Sequence, residues 1–299
     1  LKSSYGWGDL YELIDVLHNS SSNLDNKLNV DRTLWMHAFN YTLINFDSYV
    51  GYGQNYYLYK SLSNQFQPIL WDLNMSFGGF RLTDATQAFF NGFDINQAQT
   101  MDPLGFLSNN FLSPRPLISN ILSDPRKQRM YLAHMKTIVE DHFSNQDYFS
   151  RAQYLQNLIS NDVQNDPNKF YSFNDFTTNL TSQVSLPSSI CPGITQLMDS
   201  RSTYLTNYWA NFTQPIISNI QSLPNSNQFF GDDLTITAEI QDASYAMLAY
   251  RFGENMPFQE VEMYDDGNHN DGNANDGVYG VVVSNCSNSI DYYLYADNS

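Results

Sequence analysis

The sequence predicts an α+β fold: a mostly helical domain over residues 1–212, interrupted by a β-hairpin, followed by a small all-β sandwich over residues 213–299. Three observations predict this fold. Up to about Phe212, apolar residues recur at the three- and four-residue spacing of amphipathic helices. One pattern inside this region has two aromatic-rich runs around a polar turn. Beyond residue 228 the apolar period changes to two, which is typical of strands with one buried face.

Six helices are predicted in the first domain, and several begin with a recognisable cap. Asp124 precedes Pro125, and proline is favoured at the first helical position. Asp31 precedes the apolar positions of the second helix. The predicted ranges are Asp9–His18, Asp31–Asn45, Asp124–Phe143, Asp147–Val163, Phe173–Ser185 and Gly193–Trp209.

The hairpin is predicted from "QNYYLYKSLSNQFQPILWDLNMSFGG", residues 54–79. Tyr56–Tyr59 and Phe66–Trp71 have the composition of strands, and the polar segment between them has that of a turn. Asp72 follows the second strand directly. A carboxylate after such an apolar run needs a reason to be there.

The C-terminal domain is predicted from five short alternating segments separated by turn signals. Residues 213–228 are expected to be a linker running into a strand. The five strands are predicted over residues 234–242, 246–253, 258–266, 278–284 and 290–298. Their number and spacing favour a small sandwich of the immunoglobulin or fibronectin type.

Composition excludes several kinds of partner. The chain has 31 acidic and 14 basic residues and a net charge of −17, which repels nucleic acid and anionic membranes. No apolar run approaches the roughly 20 residues that cross a bilayer. Cys191 and Cys286 do not form a CxxC site, and whether they pair is left open. Few lysines and many Asn, Ser and Tyr residues favour an extracellular protein. A helical pattern so close to Leu1 suggests that a further segment precedes it.

Two acids occupy locally unfavourable positions. Asp47 is predicted at the C-terminus of the second helix, where the helix dipole disfavours negative charge, and Asp72 follows an apolar strand. Asn55 lies between them in sequence. Such local conflicts are expected at functional sites, and hard oxygen donors suit Mg²⁺. Protein kinases use Asp, Asn and Asp in this order, with a shorter first gap. Alternatively, Asp47 caps a turn and Asp72 accepts main-chain N–H bonds.

The segments "NFDSYVGYGQNYYLYK" and "FQPILWDLNMSFGG" resemble the signature of the CotH family, the spore-coat protein H kinases. The resemblance extends loosely from about Leu10 to Trp209 and ends with "SRSTYL". It implies an atypical kinase that transfers phosphate from ATP, held with Mg²⁺ or Mn²⁺, to serine or threonine hydroxyls of a protein substrate. It also implies an extracellular or cell-surface location in bacteria.

The resemblance assigns roles to four residues. Asp47 would be the catalytic residue that accepts the hydroxyl proton or orients the hydroxyl. Asp72 would be the main metal ligand, Asn55 a second metal or phosphate-side ligand, and Asn74 a third. Many members have an aspartate in place of Asn74, and fewer ligand charges weaken cation binding.

Other departures from the family pattern support a second interpretation. Gln54 stands where many members have histidine, and Ile69-Leu70 replaces the usual Ile-Pro. The family's nucleotide-holding basic residue would precede Leu1. The alternative function is therefore a non-catalytic surface, spore-coat-like or adhesion scaffold. A glycosidase using Asp47 and Asp72 is a weaker alternative, since it requires carboxyl groups about 5–5.5 or 6.5–9.5 Å apart in a sugar-sized cleft.

A second motif is "MYDDGNHNDGNANDGVYG", residues 263–280. Glycines between oxygen-bearing side chains are typical of Ca²⁺ loops, although no Glu completes an EF-hand. An ion-free loop of Asx turns is equally compatible. The motif resembles structural loops in β-sandwich modules that follow CotH domains in secreted bacterial proteins. The predicted Ca²⁺ ligands are Asp265, Asp266, Asn268, Asn270, Asp271, Asn273 and Asp276, with Asn275 beside them.

Three further expectations concern residues outside these motifs. His37 and His134 are expected to be core or surface residues rather than ligands, and His269 is expected to be exposed. Residues 91–112 form a long irregular stretch, and such loops often cover a site.

Overall fold

The computed structural model describes residues 6–19, 21–107, 113–186, 189–224, 231–286 and 289–298. The chain divides into two compact units, Leu1–Tyr59 with Phe66–Ala210 and Lys60–Gln65 with Asn211–Ser299. Helices and two short two-stranded sheets precede residue 210, and three-stranded antiparallel sheets follow it. This order confirms the predicted α+β fold class.

The helices of the first unit surround a core built on its second, sixth and ninth helices. Leu34, Met135 and Leu197 are fully buried there. The helices are α1 (Gly8–Asn19), α2 (Val30–Thr42), α3 (Tyr49–Tyr52), α4 (Ile95–Gln99), α5 (Pro116–Ser119), α6 (Pro125–Ile138), α7 (Asp147–Asn165), α8 (Phe173–Thr178) and α9 (Ile194–Trp209). A π-helical turn, Val139–Phe143, continues α6, and short 3₁₀ helices lie at Ser21–Asn26, Leu73–Met75, Gln87–Phe89 and Gly105–Leu107.

Helix α8 ends seven residues before its predicted end. The Asn179 side chain donates to the carbonyls of Cys191, at 3.2 Å, and Pro192, at 2.9 Å. The chain then forms β3 (Val184–Leu186), which pairs with β4 (Ser189–Cys191). The Asn179 partners lie 12 and 13 residues away, beyond the reach of helical periodicity, which therefore could not reveal this end of the helix.

The stretch predicted as irregular, residues 91–112, contains regular structure. Helix α4 begins there with a capping box between Asp94 and Gln97, and the 3₁₀ helix Gly105–Leu107 follows. Residues 108–112 lie outside the described residues.

The predicted hairpin is present as β1 (Tyr56–Lys60) and β2 (Phe66–Leu70), which form a two-stranded sheet. The Ser61 N–H donates to the Gln65 carbonyl at 2.9 Å. A turn this short can only join antiparallel strands. The start of β1 and the end of β2 therefore lie at the same end of the hairpin.

The second unit contains two three-stranded antiparallel sheets, with strand orders β5-β6-β9 and β10-β7-β8. Their strands are β5 (Ile216–Leu223), β6 (Leu234–Gln241), β7 (Tyr245–Arg251), β8 (Gln259–Met263), β9 (Val278–Val283) and β10 (Asp291–Asp297). Ile236 and Leu248 come from different sheets and are buried in one core, so the sheets form a sandwich.

Strand β5 occupies part of the segment predicted to be a linker. Its pairing with β6 is irregular between Ser218 and Gln221, and this irregularity interrupts the two-residue period. Cys191 and Cys286 are free thiols. None of the described helices has the length and apolar character that crossing a bilayer requires.

Candidate active site

Asp47 lies in the loop between α2 and α3, so its predicted position at a helix C-terminus is wrong. Helix α2 ends at Thr42, and Ile44 has a left-handed backbone with φ 51°. The carbonyls of Leu43 and Ile44 accept hydrogen bonds from the main-chain N–H groups of Phe77, at 2.8 Å, and Gly78, at 3.2 Å. These bonds take the place of the next helical turn.

The same two hydrogen bonds bring the segment after β2 against the start of the Asp47 loop. Asp72 lies in that segment, two residues beyond β2, and Asn55 directly precedes β1. Because these hairpin ends coincide, the segments that carry Asp47, Asn55 and Asp72 meet at one end of the hairpin. Asn74 lies in the 3₁₀ helix Leu73–Met75, beside Asp72.

Asp47 and Asn55 are in direct contact. The Asn55 side-chain N–H donates to the Asp47 main-chain carbonyl at 2.8 Å, which leaves the Asn55 amide oxygen for another partner. The Gln54 side-chain N–H donates to one oxygen of the Asp47 carboxylate. Gln54, which departs from the family pattern, therefore holds the orientation of the predicted catalytic carboxylate.

Asp72 is exposed. In the alternative interpretation its carboxylate would accept main-chain N–H groups, and it does not do so among the described residues. It precedes a 3₁₀ helix but makes no capping hydrogen bond to it. Within the described ranges, its carboxylate has no hydrogen bond or ion pair. Main-chain N–H groups therefore do not account for this acid.

Left-handed backbone is concentrated around these residues. Ile44, Asn55, Asp72 and Phe77 all have φ between 51° and 60°. This conformation is unusual for residues other than glycine, above all for a β-branched one such as Ile44. Such strain persists only where the surrounding structure enforces it, and it is common at ligand sites.

The oxygen donors fit a hard divalent cation. Asp72 offers a carboxylate that the described residues do not engage, and Asn55 offers its amide oxygen. Asn74 is exposed and can offer another. Carboxylate and amide oxygens are the ligands that Mg²⁺ and Mn²⁺ prefer.

Arg201, in the "SRSTYL" segment, is fully buried behind the Asp47 loop. It donates to the carbonyls of Tyr41 and Thr42 at the end of α2, both at 2.9 Å. It also donates to the carbonyls of Ala98, at 3.1 Å, and Met101, at 3.2 Å. Burial lowers the pKa of Arg201 to about 10, so the guanidinium remains charged at neutral pH. It fixes the point where the Asp47 loop leaves α2.

Arg115 holds the other end of the same loop. Its side chain is buried and donates to the carbonyl of Tyr49 at 2.9 Å and to that of Gly51, both in α3. It also pairs with Asp84. Gly51 is required here, because a Cβ would lie 1.9 Å from the Phe46 carbonyl oxygen. The "SRSTYL" segment is part of the family resemblance, but the sequence assigns neither arginine a role, because the partners through which they hold this loop lie 31 to 160 residues away.

The two histidines predicted to be structural make core and surface contacts. His37 is buried, and its Nε2 donates to the Leu117 carbonyl at 2.9 Å. Burial lowers the pKa of His37 to about 4. His134 stacks on Trp35 with ring centroids 4.1 Å apart, and its Nε2 lies 2.8 Å from an Asp31 carboxylate oxygen.

The Asp/Asn/Gly loop of the second unit uses its acids differently. Asp271 is buried, and its carboxylate accepts the main-chain N–H groups of Asp266 and Gly267, both at 2.7 Å, and of His269 at 2.8 Å. Burial alone would raise the pKa of Asp271, but these hydrogen bonds hold it below its usual value.

Asp265 and Asp276 close the rest of this loop in the same way. Asp265 accepts the N–H groups of Asp276, at 3.1 Å, and Gly277, at 2.9 Å. Asp276 accepts those of Asn273, at 2.9 Å, and Val278, at 3.0 Å.

An Asp-Gly pair recurs every five residues in this loop. The glycines of the three pairs, Gly267, Gly272 and Gly277, all have positive φ, as tight turns of this kind require. Asn270 instead donates to the Thr235 hydroxyl at 3.1 Å, which ties the loop to β6.

Two of the predicted Ca²⁺ ligands, Asp266 and Asp271, lie together with His269. In the parts of the chain that are described, Asp266, His269 and Asp271 form the one group of three acidic, His or Cys residues whose ligating atoms lie within 4.8 Å of one another. His269 is half-buried, stacks on Tyr264 and lies 2.9 Å from an Asp266 carboxylate oxygen. Calcium binding, including roles for Asn268 and Asn273, stays a prediction.

A family model described as CotH kinase protein matches residues 2–209. The chain belongs to the CotH kinase family. The match spans Asp47, Asn55, Asp72 and Asn74 and ends before β5. It also includes Arg115 and Arg201, so the residues of the candidate site and the arginines that hold the Asp47 loop all belong to the CotH domain. No curated protein matches the chain.

Proposed function

We propose that this CotH domain transfers phosphate from ATP, bound with Mg²⁺ or Mn²⁺, to a serine or threonine hydroxyl of a protein substrate at the cell surface or outside the cell. The observation that carries the proposal is the state of Asp72. Its carboxylate is exposed and without a partner among the described residues, on a left-handed backbone that costs about 1–3 kcal/mol. A ligand that needs this oxygen explains why the strain is kept.

Asp47 is suited to act on the acceptor hydroxyl. Gln54 occupies one carboxylate oxygen, and the other can accept a proton or a hydrogen bond from the hydroxyl. Asn55 anchors the main chain of Asp47. Arg201 and Arg115 limit movement of the loop at its two ends. Positioning of this kind supplies much of the catalysis in phosphoryl transfer.

Asp72 would hold the divalent cation, with Asn55 and Asn74 completing the protein's share of the ligands. Bound there, the cation would neutralise charge on the phosphates of ATP. Because Asn74 is neutral, Asp72 supplies the negative charge of this ligand set.

The test is transfer of radiolabel from γ-³²P-ATP in the presence of Mn²⁺, with the full chain and dephosphorylated casein as acceptor. We expect the native chain to label itself or casein and Asp72→Asn to lose this activity. Asp162→Asn, which removes an exposed acid of α7, is the matched control and should retain it. Equal labelling by the native chain and Asp72→Asn, or no labelling by either, would contradict the proposal.

A non-catalytic scaffold is the second candidate, and the neutral Asn74 favours it because it lowers the charge of the ligand set. This function predicts binding of Mn²⁺ and ATP without transfer. Calorimetric titration of the native chain with Mn²⁺-ATP, beside the labelling experiment, separates the two candidates.

A further inference from the structure

Helix α7 is the longest helix that the structure describes, and none of its residues is buried. One side of it contacts the rest of the first unit. The Tyr148 hydroxyl donates to the Asp199 carboxylate, and the Gln156 side chain donates to the Phe176 carbonyl at 2.7 Å. Helices in proteins draw most of their stability from packing of an apolar face. These contacts are polar, so the apolar residues of α7 lie elsewhere on the helix.

A second side of α7 is apolar and exposed. Its members are Tyr154, Leu155, Leu158 and Ile159, which are 42–63% exposed. At about 100° per residue, positions one, four and five apart fall on one side of a helix. We call these four residues the α7 apolar face.

The remaining side of α7 is polar. It is formed by exposed hydroxyl and amide side chains, namely Ser150, Gln153, Asn157, Asn161 and Gln164. The exposed apolar residues of this helix are therefore grouped on one side and not scattered. Single exposed apolar residues are normal on protein surfaces, whereas a contiguous group is typical of an interaction site.

One charge of each sign borders the α7 apolar face. Arg151 lies one helical turn before Leu155, and Asp162 lies one turn after Leu158. These four positions are separated by four, three and four residues, which is the spacing along which paired helices meet. The Arg151 guanidinium lies over the Tyr154 ring, 5.5 Å from its centroid, and among the described residues neither charged side chain has an ion pair.

The face has matching halves about the midpoint between residues 156 and 157. Three pairs of residues are equidistant from that midpoint in sequence: Leu155 with Leu158, Tyr154 with Ile159, and Arg151 with Asp162. When a second α7 packs antiparallel about this point, the arginine of each helix faces the aspartate of the other. A two-fold interface requires this kind of match, in which residue i contacts residue j and j contacts i.

We infer that α7 pairs antiparallel with α7 of a second copy of this chain, across a two-fold axis at residues 156 and 157. The α7 apolar face forms the centre of the contact, and two ion pairs between Arg151 and Asp162 lie at its ends. The face carries equal positive and negative charge, so it complements itself and does not favour a strongly basic or strongly acidic partner.

The contact is one helix long, about 28 Å. It is smaller than the interfaces of permanent dimers, so we expect a dissociation constant of roughly 1–100 μM. Helix α7 contains none of the residues of the candidate active site. The inference therefore does not rest on the proposed function, and a change of Asp162 alters the association and not the transfer.

The first test is sedimentation equilibrium of the full chain from about 1 to about 300 μM. A salt concentration of about 0.15 M screens the long-range repulsion between two chains of net charge −17. We expect a monomer–dimer equilibrium in the native chain. Leu158→Glu places two negative charges at the centre of the contact and should weaken the dimer at least about tenfold.

The matched control is Gln153→Glu, which adds the same charge to the polar side of α7. It should leave the dissociation constant unchanged. Both substituted residues are exposed, so both variants should keep the native circular dichroism spectrum. A native chain that stays monomeric at the highest concentration, or a dimer that Leu158→Glu leaves intact, would overturn the inference.

Exchange of the two charges tests the antiparallel arrangement. Arg151→Glu alone and Asp162→Lys alone each place like charges opposite one another at both ends, and each should weaken the dimer by about tenfold. The two changes combined in one chain restore opposite charges and should return the dissociation constant to near its native value. A combined variant that associates no better than the single variants would overturn the inference, because a parallel pair gains nothing from the exchange.

Discussion

Two regions of this chain contain clustered aspartate and asparagine residues, and they use them in opposite ways. In the loop over residues 265–276, the carboxylates of Asp265, Asp271 and Asp276 accept main-chain N–H groups. At the end of the hairpin, Asp72 accepts none from the described residues. The loop acids satisfy the backbone, whereas Asp72 leaves its oxygens to solvent or a ligand.

The difference shows that residue type alone does not identify a cation site. Both segments have the oxygen-rich composition of a metal loop, and a carboxylate can also organise a turn. The deciding observation is whether the fold itself uses the carboxylate oxygens. Where it does, removal of the acid should reduce stability. Where it does not, removal of the acid should reduce cation binding and phosphoryl transfer.

The largest expected effect is on phosphoryl transfer at the hairpin end. Asp47→Asn removes the group that acts on the acceptor hydroxyl, and we expect the rate to fall by about a thousandfold or more. Gln54→Ala leaves this carboxylate but frees its orientation, so the loss should be nearer tenfold. Steady-state labelling with γ-³²P-ATP measures both. A larger loss in Gln54→Ala than in Asp47→Asn would contradict the assigned roles.

The next largest expected effect is the loss of stability when the buried guanidinium of Arg201 is removed. Arg201→Met removes the guanidinium that donates to four carbonyls, and we expect the free energy of unfolding to fall by about 3–5 kcal/mol. Arg32→Met removes a partly exposed arginine and should cost less. Urea unfolding, monitored by circular dichroism, measures the loss in both variants. Equal losses would show that the buried guanidinium is not a support of the first unit.

A smaller loss is expected when an acid of the second unit is neutralised. Asp271→Asn removes a carboxylate that accepts three N–H bonds, and it should lower the free energy of unfolding by about 1–3 kcal/mol. Phosphoryl transfer should be unchanged, because the residue belongs to the other unit. Thermal unfolding and labelling of the same preparation measure both.

Chelation provides the control for that loop. Because main-chain N–H groups already bind its carboxylates, EDTA should shift the melting of the second unit by less than Asp271→Asn does. A larger shift with EDTA would show that Ca²⁺, rather than the N–H groups, holds the loop together.

A further predicted effect concerns pH. Burial lowers the pKa of His37 to about 4, so the folded chain favours the neutral ring. Its contribution to stability is complete above about pH 6.5 and is lost as the pH falls toward 4, by about 2 kcal/mol at pH 5. Unfolding of the native chain and of His37→Gln between pH 7 and 5 measures the difference. Parallel pH dependences would contradict this assignment.

The elements that the sequence predicted well are those whose signals are local. The hairpin and α7 follow from turn residues and periodicity, and they end within two residues of their predicted limits. Apolar periodicity that continues to Phe46 predicts a helix that ends just before Asp47. The helix instead ends at Thr42, since Phe77 and Gly78 bind the carbonyls of the next two residues.

The parts of the site that sequence could not reveal are those with distant partners. Arg201 binds carbonyls of residues 41 and 42, about 160 positions earlier. A lone arginine in a helix is normally read as solvent-exposed. Its burial emerges only when α2, α4 and α9 come together. Arg115 likewise binds Asp84, Gly51 and Tyr49, which lie 31 to 66 positions away.

The most direct test of the central claim is binding of Mn²⁺ in the presence of ATP, followed by electron paramagnetic resonance, in matched variants of the full chain. Asp72→Asn should lose the bound Mn²⁺ signal and keep the native free energy of unfolding. Asp271→Asn should keep that signal and lose stability. The reverse pattern, with Asp72→Asn destabilised but still binding Mn²⁺ at native strength, would contradict the account.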